Sequence, residues 1–225
     1  MPLRWKSFFA HHYDSFMEPV ERRCLGAVRS TLLAQSSGRV LEVGAGTGAN
    51  LPHYPEGAYP LVSEPDRDMR LELRSKFAGE VARAPFPRVL AAEAERLPFG
   101  AAAFDCVVVT LVLCSVRDPL EVSREIRRVL VPGGRLLFVE HVRAAGRHGA
   151  WQDRLQPLWS AVGCGCHPNR DTPAILQKAG FEFDELEAFD PFEGVPKPLY
   201  FMSRIVLPFV WGLARRDSRA ADLHW

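Results

Sequence analysis

A single α/β domain built on a doubly wound, mostly parallel, seven-stranded sheet is the fold this chain predicts, and three observations predict it. An apolar run ending at Val43 stops at glycines 44, 46 and 48, as a buried parallel strand does when it turns sharply into the next segment. An acidic residue, Glu64, closes the next apolar run about twenty positions on. Short β-prone runs then alternate with helical stretches as far as His141, the pattern of strands crossing over through helices.

Taken in order, Phe16, Val20, Cys24, Ala27, Val28, Thr31 and Leu32 recur at helical spacing, so residues 15–35 predict an amphipathic helix ahead of the first strand. The first strand spans 39–43 and the second Tyr59 to Ser63, followed by a helix from Asp66 to Ala78. Arg88 to Ala92 reads as a short third strand. Asp105 to Thr110, rich in β-branched residues, reads as the fourth. Pro119 to Leu130 has helical periodicity and is stopped by Val131-Pro-Gly-Gly134, a ring that cannot continue a helix followed by residues that turn freely. Arg135 to His141 is the fifth strand, Thr172 to Ala179 a helix ending at Gly180, and Phe181 to Phe189 the sixth strand, with a last strand within Ile205 to Ala214. Residues 1–35 thus precede a domain spanning 36–216, and 217–225 form a loose tail.

With 225 residues, 47% of them hydrophobic, the chain has material for one substantial core. Its 28 basic and 27 acidic residues leave a net charge of +1, which gives no field suited to nucleic acid. The segment Met1-Pro-Leu-Arg-Trp-Lys lacks the apolar stretch of a secretory signal, and the five cysteines are odd in number, so a cytoplasmic, reducing location is expected. Cys164-Gly-Cys166 has no second ligand pair at zinc-knuckle spacing, and no metal site is expected. The greasy stretch 198–216 is broken by Arg204 and Pro208. It cannot span a bilayer, and a terminal strand joined to a pocket-lining loop is favoured over contact with a membrane surface. A small-molecule acceptor is the expected partner, with a monomer or weak homodimer as the state.

The glycine turn with Glu64 is a nucleotide-cofactor site, the carboxylate being placed for two ribose hydroxyls. Gly44, Gly46 and Ala49 also satisfy the relaxed dinucleotide pattern, so a nicotinamide oxidoreductase stands beside other cofactor classes on these residues alone.

Further segments narrow the choice. Leu41-Glu-Val-Gly-Ala-Gly-Thr-Gly48, Glu64, Glu93-Ala-Glu-Arg-Leu-Pro-Phe99 ahead of Phe104-Asp105, and Leu130-Val-Pro-Gly-Gly134 ahead of the fifth strand resemble the class I S-adenosylmethionine-dependent methyltransferases. That resemblance implies a Rossmann-like sheet with an N-terminal helical lid, and S-adenosyl-L-methionine as cofactor. It places the cofactor against Glu42, Gly44, Ala45, Gly46, Gly48 and Asn50, against Glu64 and Pro65, and against Thr110 and Leu111. It also implies that Glu93 accepts from the adenine amino group and the Ala94 amide meets a ring nitrogen, although Asp is the commoner residue where Glu93 stands. Thr110-Leu-Val-Leu-Cys-Ser-Val116, Phe138-Val-Glu-His-Val142, the span from Trp151 through Trp159 to Cys166, and Arg170-Asp-Thr172 are most similar to the animal methyltransferase-like 7 proteins, which methylate alkyl thiols. Lys197-Pro-Leu and Pro208-Phe-Val-Trp-Gly212 follow the same outline. The implied reaction is S-methylation of a small apolar thiol. The alternatives are C- or O-methylation of a quinone or phenol-like ring, N-methylation of a phospholipid amine, and a cofactor-binding regulatory module without transfer.

His141, at the end of the fifth strand, is the acid/base candidate, against the alternative of a histidine that fixes the strand end. Tyr13, in the segment that forms a lid in similar enzymes, is the second catalytic candidate, its ring a shield for a sulfonium. Cys114 and Cys166 read as packing residues, and Arg170 as a structural partner more than a substrate clamp. Trp151, Trp159, Phe192, Tyr200 and Phe201 are candidates for an apolar acceptor pocket.

Overall fold

A computed structural model describes residues 3–58, 60–78, 88–192 and 203–217. Seven strands form one sheet: β1 (Val40–Val43), β2 (Leu61–Ser63), β3 (Val89–Leu90), β4 (Phe104–Thr110), β5 (Leu130–His141), β6 (Phe181–Phe189) and β7 (Phe209–Arg216), in the order β3-β2-β1-β4-β5-β7-β6. The first five run parallel, and β7 inserts antiparallel between β5 and β6. The order reverses between β1 and β4, so the cleft for a ligand opens beyond their carboxyl ends.

The apolar runs of β1, β4 and β5 are buried on both faces, as strands of a covered parallel sheet must be. Alternation divides them between two layers. Leu41, Val43, Val107, Val109, Leu136 and Phe138 face helices α4 (Pro119–Val129) and α6 (Thr172–Lys178), meeting Val122, Ile126, Val129 and Leu176. Val40, Cys106, Val108, Leu137 and Val139 face the other way, onto Leu25, Leu32 and Leu33 and the segment Ile205–Phe209. Each fully buried aliphatic chain stabilises this arrangement by about 1.5–3 kcal/mol. Asp66, Asp118 and Asp171 cap the helices α3 (Arg67–Phe77), α4 and α6, each accepting from backbone amides of the first turn.

Several boundaries differ from the sequence expectation for identifiable reasons. The N-terminal helix begins at Leu3: α1 (Leu3–Val20) continues through a π-helical turn at Glu21–Leu25 into α2 (Gly26–Leu33). Pro19 lacks an amide and its ring cannot be accommodated in a regular ladder, so the helix widens just past it. The polar surface of α1 hid it from an apolar pattern, because its partners are the charged groups of α3. Leu130 already pairs with Phe104, and the Pro-Gly-Gly residues form an irregularity within β5 before Arg135 pairs with Cys106. The last strand starts at Phe209, Arg204–Val206 being a 3₁₀ turn. A 17-residue helix, α5 (Gly146–Val162), was not anticipated, since its apolar residues have weak periodicity. Gln152 fixes it: its oxygen accepts from the Ala144 amide at 2.7 Å and its nitrogen donates to the Leu207 carbonyl at 2.8 Å. Tyr59, Lys197, Tyr200, Phe201 and residues 218–225 lie outside the described residues.

Candidate active site

The cofactor side of the cleft is built from adjacent turns. After β1 the chain turns so that the amides of Gly44 and Ala45 donate to the Ser63 carbonyl at 2.8 and 3.0 Å, joining the ends of β1 and β2. Glu64 accepts from the Gly46 amide at 2.8 Å and from the Asp66 amide at 2.8 Å, so one carboxylate spans both turns. Burial pushes its pKa up against those two hydrogen bonds. Gly46 has φ +55, and a Cβ built there meets nothing within 4 Å. A bare backbone facing open space beside an acid is a cradle of the kind an adenosyl group fits. Gly44 is confined instead: at φ +69 its Cβ would lie 2.5 Å from Val112, so the loop after β4 rests directly on the turn. Pro65 is exposed, and its carbonyl and that of Glu64 are bound by Arg70 at 2.7 Å. Glu93 is exposed and Ala94 buried in the turn beyond β3.

Glu42 and Asn50 are committed to an internal network. Glu42 accepts from Asn50 at 3.0 Å and from the Tyr54 hydroxyl at 2.9 Å, and burial raises its pKa to about 7. Asn50 also binds the Thr110 hydroxyl, which with the Asn50 oxygen receives the buried Arg29 guanidinium at 2.9 and 2.6 Å. Arg29 is in turn paired with Glu21 at 2.8 Å. These groups brace the floor of the cleft from beneath. Helix α1 crosses above it: Asp14 accepts from Thr47 at 2.5 Å and pairs with Lys76 of α3 at 2.8 Å, His11 meets Glu72, and Trp5 donates to the carbonyl of Val162 at the end of α5. Tyr13 is half-buried on this strap, with burial holding its phenol well above the ordinary range, so it stays protonated and is unsuited to act as a base. Asp14, Met17, Glu21, Ala49 and His53 share with it a cleft of about 240 Å³.

A second buried group, beyond the ends of β4 and β5, is assembled from segments far apart in the chain. Leu111 holds φ +58, rare for a branched side chain, and opens the loop after β4. Glu140, buried in β5, takes the amides of Val112 and Leu113 at 2.7 Å each and of Cys114 at 3.2 Å, while Arg170 donates to the Leu113 carbonyl. Burial raises the Glu140 pKa to about 7 despite these amides. The loop they fix delivers Cys114 to His141 and to Cys166, from the turn after α5, with the three ligating atoms all within 4.8 Å of one another. The Nδ1 of His141 donates to the Val206 carbonyl at 3.0 Å, which turns Nε2 toward the sulfurs. Hydrogen bonding from Cys114 lowers the Cys166 thiol well below its usual range, and His141 adds to this. Burial pulls His141 down, but the facing Cys166 outweighs it and the imidazole is raised.

His141 stands buried at the end of β5, and Cys114 and Cys166, read in the sequence as packing residues, stand with it. Glu140 and Gln152 had no role in the sequence reading. A buried acid inside an otherwise apolar strand, at Phe138-Val-Glu-His-Val142, was the available signal for the first. Arg170 binds backbone, as expected of a structural partner, and Trp151, Trp159 and Phe192 pack against the core layer that carries Leu137 and Phe209.

A family profile described as "Methyltransferase domain" matches residues 41–138. The thiol S-methyltransferase TMT1B of Rattus norvegicus is 34% identical over 194 residues, 84% of this chain and 79% of that protein. The chain belongs to the class I S-adenosylmethionine-dependent methyltransferases. Human thiol S-methyltransferase TMT1A is 35% identical over 178 residues, 78% of this chain and 69% of its own length. Among solved structures, an S-adenosylmethionine-dependent methyltransferase from Mesorhizobium loti superposes with a TM-score of 0.60 at 20% identity, over 84% of this chain and 96% of that one. This methyltransferase uses S-adenosylmethionine, and the open backbone at Gly46 beside Glu64 is where its own residues fit that group.

Proposed function

We propose that the methyltransferase methylates a small apolar thiol on sulfur. The observation that carries this reading is that the likeness to thiol S-methyltransferases runs past the cofactor half of the sheet, over 84% of the chain, into the segments that build the acceptor side. Gly44, Ala45, Gly46 and Gly48 line the cradle with Glu64 and Pro65 beside it. Glu93 and Ala94 hold the adenine edge, and Thr110 and Leu111 border the bound group, with Glu42 and Asn50 supporting them from below. S-adenosylmethionine supplies a methyl carbon on cationic sulfur, so an attacking electron pair forms the new bond while the old C–S pair stays with the departing thioether. A thiol acceptor, with an ordinary pKa near ~8.5, needs only modest help to present such a pair. His141 stands where that help is required, and Tyr13 covers the cleft against water.

The test is incubation with methyl-labelled S-adenosylmethionine and separate alkyl thiols, phenols, quinones and lipid amines. Label is expected in the thioether of an alkyl thiol. Label confined to a ring carbon, phenol or lipid amine contradicts the thiol assignment, and normal cofactor binding without transfer to any class favours a regulatory module.

A further inference from the structure

We propose that Cys114, His141 and Cys166 bind one Zn²⁺ ion and leave its fourth position to the sulfur of the acceptor. The donor set is two sulfurs and an imidazole, which suits zinc above the hard cations. A tetrahedral ion with bonds of about 2.3 Å to sulfur and about 2.1 Å to nitrogen holds its ligand atoms about 3.7 Å apart. The three atoms already lie within 4.8 Å of one another, so small side-chain rotations close the site.

The surroundings are those of a ligand cage. The carbonyl of Val206 holds Nδ1 of His141, fixing Nε2 as the free donor atom, the device by which metal-binding histidines are oriented. Cys114 is fixed by its amide on Glu140 and by its carbonyl, which accepts from the His167 amide at 2.7 Å. The indole nitrogen of Trp159 is buried with no hydrogen-bond partner, an unused donor among the groups that act on Cys166. Cys114, His141 and Cys166 are only 1%, 8% and 8% exposed, so an ion held there is shielded from bulk water. Three protein ligands with one position left over is the pattern of a reactive rather than a structural zinc. Among the described residues the group has three members. Gly44 touches Val112, two residues from Cys114, so the vacant position falls one loop from the cofactor cradle.

The acceptor role rests on the thiol reading above; ion binding does not. On coordination the acceptor S–H bond breaks, its proton goes to water and its electron pair stays on a metal-held thiolate. That pair forms the new bond to methyl carbon, and the neutral thioether, a weak ligand, leaves. With the ion in place His141 is a ligand, and its help to the acceptor is delivered through the metal.

The experiment is Co²⁺ titration of chelator-stripped full-length protein, followed by thiolate-to-cobalt charge-transfer and d–d absorption. One equivalent is expected to give both bands with tetrahedral intensity, and Zn²⁺ to displace it. Cys114→Ser and Cys166→Ser should each weaken binding at least ~10-fold while keeping S-adenosylhomocysteine affinity, which shows that they fold, and Cys164→Ser should bind as the parent does. No cobalt bands, equal damage from Cys164→Ser, or an intact mass short of two hydrogens from a Cys114–Cys166 disulfide overturns the site. Propane-1-thiol should shift the cobalt bands, and an unchanged spectrum overturns the open position. If stripped protein methylates thiols at the full rate, the open position for the acceptor falls and the thiol reading stands. If cobalt and thiol both bind but only phenols or amines are methylated, the thiol reading falls and the metal site stands.

Discussion

The two sides of the cleft are made in opposite ways. The cofactor side is local: Gly44 to Gly48 and Glu64 lie within about twenty residues, and backbone amides do most of its work. The acceptor side draws Cys114, Glu140, His141, Cys166 and Arg170 from three separate segments, and side chains do the holding. A site carried by backbone and short spacing can be reused with many acceptors. A site carried by side chains from distant loops is, on the proposed reading, where one acceptor class is chosen.

The largest expected effect breaks the acceptor side alone. Glu140→Ala strands three buried amides, each costing about 1–3 kcal/mol, and should lower thermal stability sharply and abolish transfer. Retention of a wild-type melting temperature would show that the loop is held by something else. On the cofactor side, Gly46→Val places a branched side chain at φ +55 in open space. S-adenosylhomocysteine affinity should fall at least ~100-fold by calorimetry, for about 1 kcal/mol of lost stability. Equal losses of fold and of binding would mean that this turn is structural and not a cradle.

The contrast also explains what the sequence could and could not reveal. The succession of strands along the chain, the parallel core and the glycine turn followed from runs and spacings that any covered sheet needs, and Glu64 followed from its distance to the turn, whereas the insertion of β7 between β5 and β6 did not. Helix α1 began earlier than its pattern indicated, because it is held to α3 by polar contacts, Asp14 to Lys76 and His11 to Glu72, rather than by an apolar stripe. Helix α5 was missed because a glutamine, Gln152, anchors it. Cys114 and Cys166, each unremarkable in its own segment, meet only when the turn after α5 folds back against the loop after β4 at the end of β5.

A smaller effect sharpens the comparison through pH. Burial raises the Glu42 pKa from 4.5 to about 7, so the folded state holds this proton more tightly than the unfolded one. Its contribution is fully present below about pH 4.5 and is lost as pH rises through about 7. Stability of the parent relative to Glu42→Gln should therefore decline over that window in denaturant titrations. A flat difference would show that the Asn50 and Tyr54 hydrogen bonds keep Glu42 at its ordinary value. The smallest effect belongs to the strap: Asp14→Ala removes exposed contacts to Lys76 and Thr47 and should cost about 0.5–1 kcal/mol of stability, with a modest rise in the KM for S-adenosylmethionine. An unchanged KM would detach α1 from cofactor retention.

That the two sides are separable parts of one methyl-transfer site is tested most directly by the double variant Cys114→Ser/Cys166→Ser, measured for S-adenosylhomocysteine binding and for methylation of an alkyl thiol in the same preparation. Unaltered binding with transfer reduced to background is the predicted result. Unimpaired thiol methylation, or loss of binding together with transfer in a protein that still melts like the parent, would contradict it.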